Sequence, residues 1–160
     1  MLILCYIAIV VAAYLLGSIP TGFLVAQARG VDIRKAGSGN IGATNAFRIL
    51  GKPAGAFVLV ADGLKGFAAC AWACDLWLWL LHSAGVPLGD VEGYRVLSGI
   101  AAVLGHNYTC WLWFKGGKGI ATSAGVFFAL APWAAGIAVV TWVALFLLTR
   151  YVSVASIAAA

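Results

Sequence analysis

The chain has 160 residues, 64% of them hydrophobic and 9% charged, with a mean hydropathy of +1.03. A soluble domain carries about 25% charged residues, so a water-soluble globule is excluded and the chain belongs in a bilayer. The net charge of +5 rests on ten Lys and Arg, too few and too dispersed for a nucleic-acid phosphate stripe; most lie beside glycine loops, which suits membrane topology and a small phosphorylated ligand.

The first apolar run covers residues 2–28 and is interrupted at Gly17, Ser18 and Pro20, as membrane helices tolerate. It has no basic leading region and no small-residue cleavage site, so it reads as a retained span and not a removed signal peptide. A polar loop follows over 29–52, with Arg29, Arg34, Lys35, Arg48 and Lys52 against the single acid Asp32. By the positive-inside rule this loop is cytoplasmic and the N-terminus is outside.

The second span, 53–82, contains ADGLKG, with Asp62 and Lys65 at i, i+3. Ionised residues at membrane depth are costly and face a cavity or a partner. Two readings stay open: a self-neutralising structural pair, or a pair that also orders a cytoplasmic-side site. Trp72, Trp77 and Trp79 crowd the far end as an outer aromatic belt. An outer loop over 82–94 carries Asp90 and Glu92, and a third span, about 95–113, returns inward to Lys115 and Lys118.

The apolar stretch 121–148 would be roughly 42 Å long as one helix, against a hydrocarbon core of about 30 Å. Pro132 divides it. Two short helices hinged there keep Arg150 inside, as the positive-inside rule favours. The run 151–160 then opens a further span and ends apolar, so the chain reads as a fragment lacking a C-terminal part. The expected fold class is all-α: a polytopic integral membrane helical bundle, one domain over 1–160, with Gly-rich loops on the cytoplasmic face. Cys5, Cys70, Cys74 and Cys110 sit in apolar runs without a neighbouring His or second Cys pair. They read as buried thiols; no metal and no cofactor is expected.

Two glycine loops carry the chemistry. GSGNIGATN, 37–45, contains G-x-G-x-x-G, with Asp62 20 residues past Gly42, as in dinucleotide-binding folds. The context excludes that reading, because GVDIRKA is too polar for a central strand and Asp62 lies inside a membrane segment. FKGGKGIAT is not a Walker A motif either: Gly119 follows Lys118, and Leu112 stands where the first Gly belongs. Both loops nevertheless share the physics of anion binding. Gly39, Gly42, Gly116, Gly117 and Gly119 allow close backbone approach, successive N–H groups form nests, and each loop leads into a helix start. Arg48, Lys115 and Lys118 add full charges; Ser38, Asn40, Thr44 and Asn45 add neutral donors. Two such loops at one membrane face imply a phosphorylated substrate. The alternative is that the glycines serve only tight turns and helix packing.

GSGNIGATN followed by Arg48, then DGLKG, then GHNYTCWLWFKGGKGIAT, in this order between spans, resembles the bacterial acyl-phosphate-dependent glycerol-3-phosphate acyltransferases, the PlsY family. The resemblance runs from YLLGSIP, 14–20, to RYVS, 150–153. It implies transfer of a fatty acyl group from acyl-phosphate to the 1-hydroxyl of sn-glycerol 3-phosphate, giving lysophosphatidic acid and phosphate, the first acylation of phospholipid synthesis. It implies a site on the cytoplasmic face of the bacterial inner membrane, membrane lipid as surroundings, and an upstream enzyme that forms acyl-phosphate. The family's essential Ser and Arg fall on Ser38 and Arg48, and its glycerol-phosphate motif falls on Lys115, Gly116, Gly117, Lys118 and Gly119. A third family motif, with a His, an Asn and a Glu, has no counterpart here.

The expected catalytic set is therefore Ser38, Arg48, Asn40 and Lys118. Gly39, Thr44, Asn45, Lys115, Gly116, Gly117 and Gly119 bind substrate phosphate, and Asp62, Lys65 and His106 support them. The His-x-x-x-x-Asp dyad of soluble-type acyltransferases is absent, since Trp111 stands five residues after His106. A substrate phosphate, with a second pKa near about 6, is then the expected proton acceptor. The competing function is a transporter of a phosphorylated metabolite, which broken helices and intramembrane charges also fit.

Overall fold

The computed structural model describes residues 2–159. Its regular elements are all helical among those residues: α1 (Leu2–Ser18), α2 (Thr21–Gln27), α3 (Ala43–Leu50), α4 (Lys52–Ala68), α5 (Cys74–Ser83), α6 (Val91–Asn107), α7 (Ile120–Leu130), α8 (Pro132–Thr149) and α9 (Val152–Ala159). Three stretches are long and apolar enough to cross a membrane: Leu2–Gln27, Lys52–Ser83 and Pro132–Thr149. The middle one is α4 and α5 joined through a π-helical turn, Ala69–Ala73.

The break between α1 and α2 falls at Pro20, as the sequence predicts. A broken helix in a bilayer must find new donors for its freed carbonyls. Thr109 Oγ1 donates to the Ser18 carbonyl at 2.5 Å, and Lys65 Nζ donates to the Ile19 carbonyl at 2.7 Å. Residues 46 and 91 positions away thus close one local defect. The 121–148 stretch is likewise two helices, parted at Ala131 with φ −141° and ψ 68°. The second, α8, is longer than expected: at 18 residues it is a candidate span by itself. The last residue of the expected further span, Ala160, lies outside the described residues.

The third expected span, about 95–113, is a shorter helix that is not among the three stretches long and apolar enough to cross a membrane. Helix α6 stops at Asn107, and Trp113 and Phe114 take positive φ, 56° and 60°. The chain folds back so that the N–H groups of Gly116 and Gly117 donate to the Asn107 and His106 carbonyls, both at 3.0 Å. These contacts satisfy carbonyls a helix end would otherwise leave open, so residues 108–113 form a loop containing a short 3-10 turn, Cys110–Leu112.

Helix α1 packs on α6, and α4 on α3 and α7. The seams are built from small residues, as membrane helices require for close packing. Gly17 lies against the Ala102 backbone, and Gly125 against the Gly63 carbonyl, where even a methyl group would overlap. Cys5, Cys70 and Cys74 are buried as expected, while Cys110 is only half-buried.

Candidate functional site

The first glycine loop is assembled by Asn45. This residue sits in the first turn of α3, is 2% exposed, and reaches back across the loop. Its Nδ2 donates to the carbonyls of Ile33 (3.3 Å), Ala36 (3.0 Å) and Asn40 (2.9 Å), and its Oδ1 accepts from the Ser38 N–H at 3.0 Å. Both ends of the amide are committed to the loop backbone. Asn45 therefore holds the loop, and it also stands in the wall of the cavity that the loop borders. Asn40 Oδ1 accepts from the Gly42 N–H at 2.7 Å, a side-chain turn that leads into α3. Replacing Asn45 with Ala strips four backbone groups of their partner. Stability is expected to fall by about 2–4 kcal/mol, read as a lower unfolding temperature in detergent; an unchanged temperature would show that the loop holds its shape without Asn45.

The arginines of this loop divide by their partners. Arg29 donates to the Leu50 carbonyl at 2.7 Å. Arg34 grips Asp32 with two bonds, 2.9 and 3.0 Å, which hold the Asp32 carboxyl below its usual range. Arg48, one helical turn after Thr44 on α3, faces a cavity of about 460 Å³.

That cavity joins the two glycine loops. Ser38, Asn40, Thr44 and Arg48 line one side, and Lys118 and Gly119 another. Asp62 from α4 and His106 from the last turn of α6 supply further polar wall. The aliphatic wall comes from Leu59, Ile120, Ala121 and Ala124. Asp62 is 2% exposed; its Oδ1 stands 3.0 Å from Lys65 Nζ and 3.8 Å from His106 Nδ1. The two members of the pair are placed differently: Lys65 reaches the α1–α2 break, where it donates to the Ile19 carbonyl, while Asp62 lines the cavity. His106 Nε2 is covered by Gly117, where an added Cβ would overlap the imidazole.

Asn45 also lines this cavity, whereas Gly39, Lys65, Lys115, Gly116 and Gly117 do not. Gly116 and Gly117 spend their N–H groups on α6 carbonyls, and Gly39 donates to the Ala36 carbonyl at 3.0 Å, so these glycines shape the loops without forming the expected nests. Lys115 is exposed and outside the cavity wall. Gly119 is different: it lines the cavity and adopts φ 74° at the start of α7, which favours glycine. Two polar residues went unnoticed in the sequence. Asn107 Oδ1 and Thr122 Oγ1 are buried without a hydrogen-bond partner among the described residues. Only the neighbouring motif residues, His106 and Gly119, hint at them.

The family model for "Glycerol-3-phosphate acyltransferase" matches residues 7–160. The chain belongs to the glycerol-3-phosphate acyltransferase family. It is 47% identical over 154 residues to the glycerol-3-phosphate acyltransferase of Geotalea daltonii, covering 96% of this chain and 73% of that relative. It also matches two crystal structures of PlsY, an integral membrane glycerol 3-phosphate acyltransferase, at 44% identity. The glycerol 3-phosphate form aligns with TM-score 0.74 over 96% of this chain and 72% of that one, and the lysophosphatidic acid form with 0.72 over 96% and 71%. The chain is accordingly an integral membrane acyltransferase with several helical spans.

Proposed function

We propose that this acyltransferase moves a fatty acyl group from acyl-phosphate to the 1-hydroxyl of sn-glycerol 3-phosphate at the cytoplasmic face of a bacterial inner membrane, and that the cavity between the glycine loops is its active site. The observation that carries this assignment is the placing of Arg48 and Lys118, from loops about 70 residues apart, on one cavity with Ser38 and Asp62. Two cations on separate elements suit a reaction with two phosphate groups, one on each substrate. The glycerol 3-phosphate and lysophosphatidic acid forms of the related crystal structures support the same acceptor and product.

The chemistry is an attack by the glycerol 1-hydroxyl oxygen on the acyl carbon. A new carbon–oxygen ester bond forms, the acyl–phosphate bond breaks, and phosphate leaves. Arg48 and Lys118 hold the phosphates and stabilise the charge that develops on the departing one. Ser38 and the Asn40 amide orient substrate oxygens. The proton passes to a substrate phosphate. The covering of His106 Nε2 by Gly117 supports this route, because the imidazole nitrogen not facing Asp62 is shielded from an incoming hydroxyl. His106→Ala is then expected to keep kcat within about tenfold of the parent; a loss beyond about a thousandfold would assign the proton to His106.

Membranes containing the full-length protein, given acyl-phosphate and labelled glycerol 3-phosphate, are expected to yield lipid-soluble label. Water-soluble label trapped inside vesicles would instead identify a transporter.

A further inference from the structure

Helix α7 starts without a cap of its own. Gly119 stands at its N-cap with φ 74° and offers no side-chain oxygen to the first turn. The first N–H groups of a helix have no partner inside it, and a side-chain acceptor from Ser, Thr, Asn or Asp normally takes one of them. At α7 the nearest such acceptor comes from another helix. Asn107, the last residue of α6, lays its amide against Gly119: an added Cβ at position 119 would stand 2.6 Å from Asn107 Oδ1 and 3.3 Å from its Cγ. Val103, one turn earlier on α6, closes the same spot at 3.2 Å. The bare Cα of Gly119 thus serves a second purpose beside its positive φ, because it leaves room for the amide.

Asn107 Oδ1 is buried and has no hydrogen-bond partner among the described residues. A buried acceptor left unpaired is costly, and the donors that match it are the uncapped N–H groups in the first turn of α7. The same residue also holds the other end of the loop, its carbonyl accepting from the Gly116 N–H at 3.0 Å. Asn107 therefore meets the second glycine loop twice, at Gly116 through its main chain and at Gly119 through its side chain. Between these two points lies Lys118, which reaches the polar cavity.

We infer that Asn107 is a positioning residue for acyl transfer: its Oδ1 caps α7 in place of the side chain that Gly119 lacks, and so sets where Lys118 and Gly119 stand in the cavity wall. The inference rests on the acyltransferase reading above. Asn107 does not itself line the cavity, so it acts through the loop and not by contact with substrate. Such an indirect role is large enough to measure, since moving a binding group by about 1 Å can cost about 10²-fold.

The test uses the full-length protein and two variants. Asn107→Leu keeps the branched shape of the side chain and removes the acceptor. Asn107→Asp keeps an acceptor, and an acid suits a helix N-terminus. Amide hydrogen exchange in detergent reads the cap directly. Peptides covering residues 119–123 are expected to exchange about five- to tenfold faster in Asn107→Leu, the loss of one hydrogen bond, and at the parental rate in Asn107→Asp. Peptides from α4 keep the parental rate in both. In membranes, Asn107→Leu is expected to raise KM for glycerol 3-phosphate about tenfold with kcat within about threefold; a role confined to stability would lower the amount of active protein and leave KM unchanged. Parental exchange over 119–123 in Asn107→Leu, equal acceleration in both variants, or an unchanged KM would overturn the inference. If Asn107→Leu does not fold, Asn107→Ala gives the same comparison. A parent that forms no lysophosphatidic acid from acyl-phosphate and glycerol 3-phosphate would overturn the acyltransferase reading itself, while the exchange rates still judge the cap.

Discussion

Arg48→Lys is expected to lower kcat/KM for acyl transfer by about 10²–10³-fold, the usual consequence of removing one donor from a site of developing charge. Of the three arginines in the first loop, Arg29 is bound to the Leu50 carbonyl and Arg34 to Asp32. Arg48 makes no hydrogen bond or ion pair among the described residues, so its five donors remain for a ligand. Lysine keeps the charge but not the planar fork that meets two phosphate oxygens at once. Since Arg48 is exposed on α3, the unfolding temperature of the variant should match the parent. Steady-state kinetics with acyl-phosphate in excess separate the effect on glycerol 3-phosphate binding from that on turnover. Full activity in Arg48→Lys would remove Arg48 from phosphate recognition.

Lys65→Met is expected to destabilise the fold by about 3–5 kcal/mol, because it leaves the buried Asp62 carboxylate without its partner. Both side chains are nearly inaccessible, at 6% and 2% exposure. Methionine replaces the stem of Lys65, so the loss is electrostatic and not a cavity. It also removes the donor that closes the Ile19 carbonyl at the α1–α2 break. Adding Asp62→Asn to Lys65→Met should recover much of the loss, since the uncompensated charge is then gone. Unfolding in detergent followed by protease resistance gives the comparison. A single variant as stable as the parent, or a double variant weaker than the single, would contradict a structural role for the pair. Activity in the double variant stays low in either case if Asp62 shapes the cavity wall.

The glycine loops show where motif reading is reliable and where it is not. GSGNIGATN and FKGGKGIAT read as tight turns, and residues of both line one cavity. Within those motifs the division of labour is not written locally. Asn45 fastens its loop as well as lining the cavity, and the Gly116 and Gly117 N–H groups are bound to α6 carbonyls. Lys115 and Lys118 are three residues apart, yet only Lys118 lines the site.

The membrane class, the helical character and the breaks near Pro20 and Pro132 were legible in the residues alone. Those properties follow from composition, from apolar run length and from the dihedral limits of Pro20 and Pro132, all of which act within a few residues. Which polar groups are left for chemistry depends on contacts between distant segments: the partners that hold Lys65 and Thr109 lie 46 and 91 positions away in the chain. What distinguishes Arg48 from Arg29 and Arg34 is therefore not its local sequence but the lack of a hydrogen-bond or ion-pair partner among the described residues.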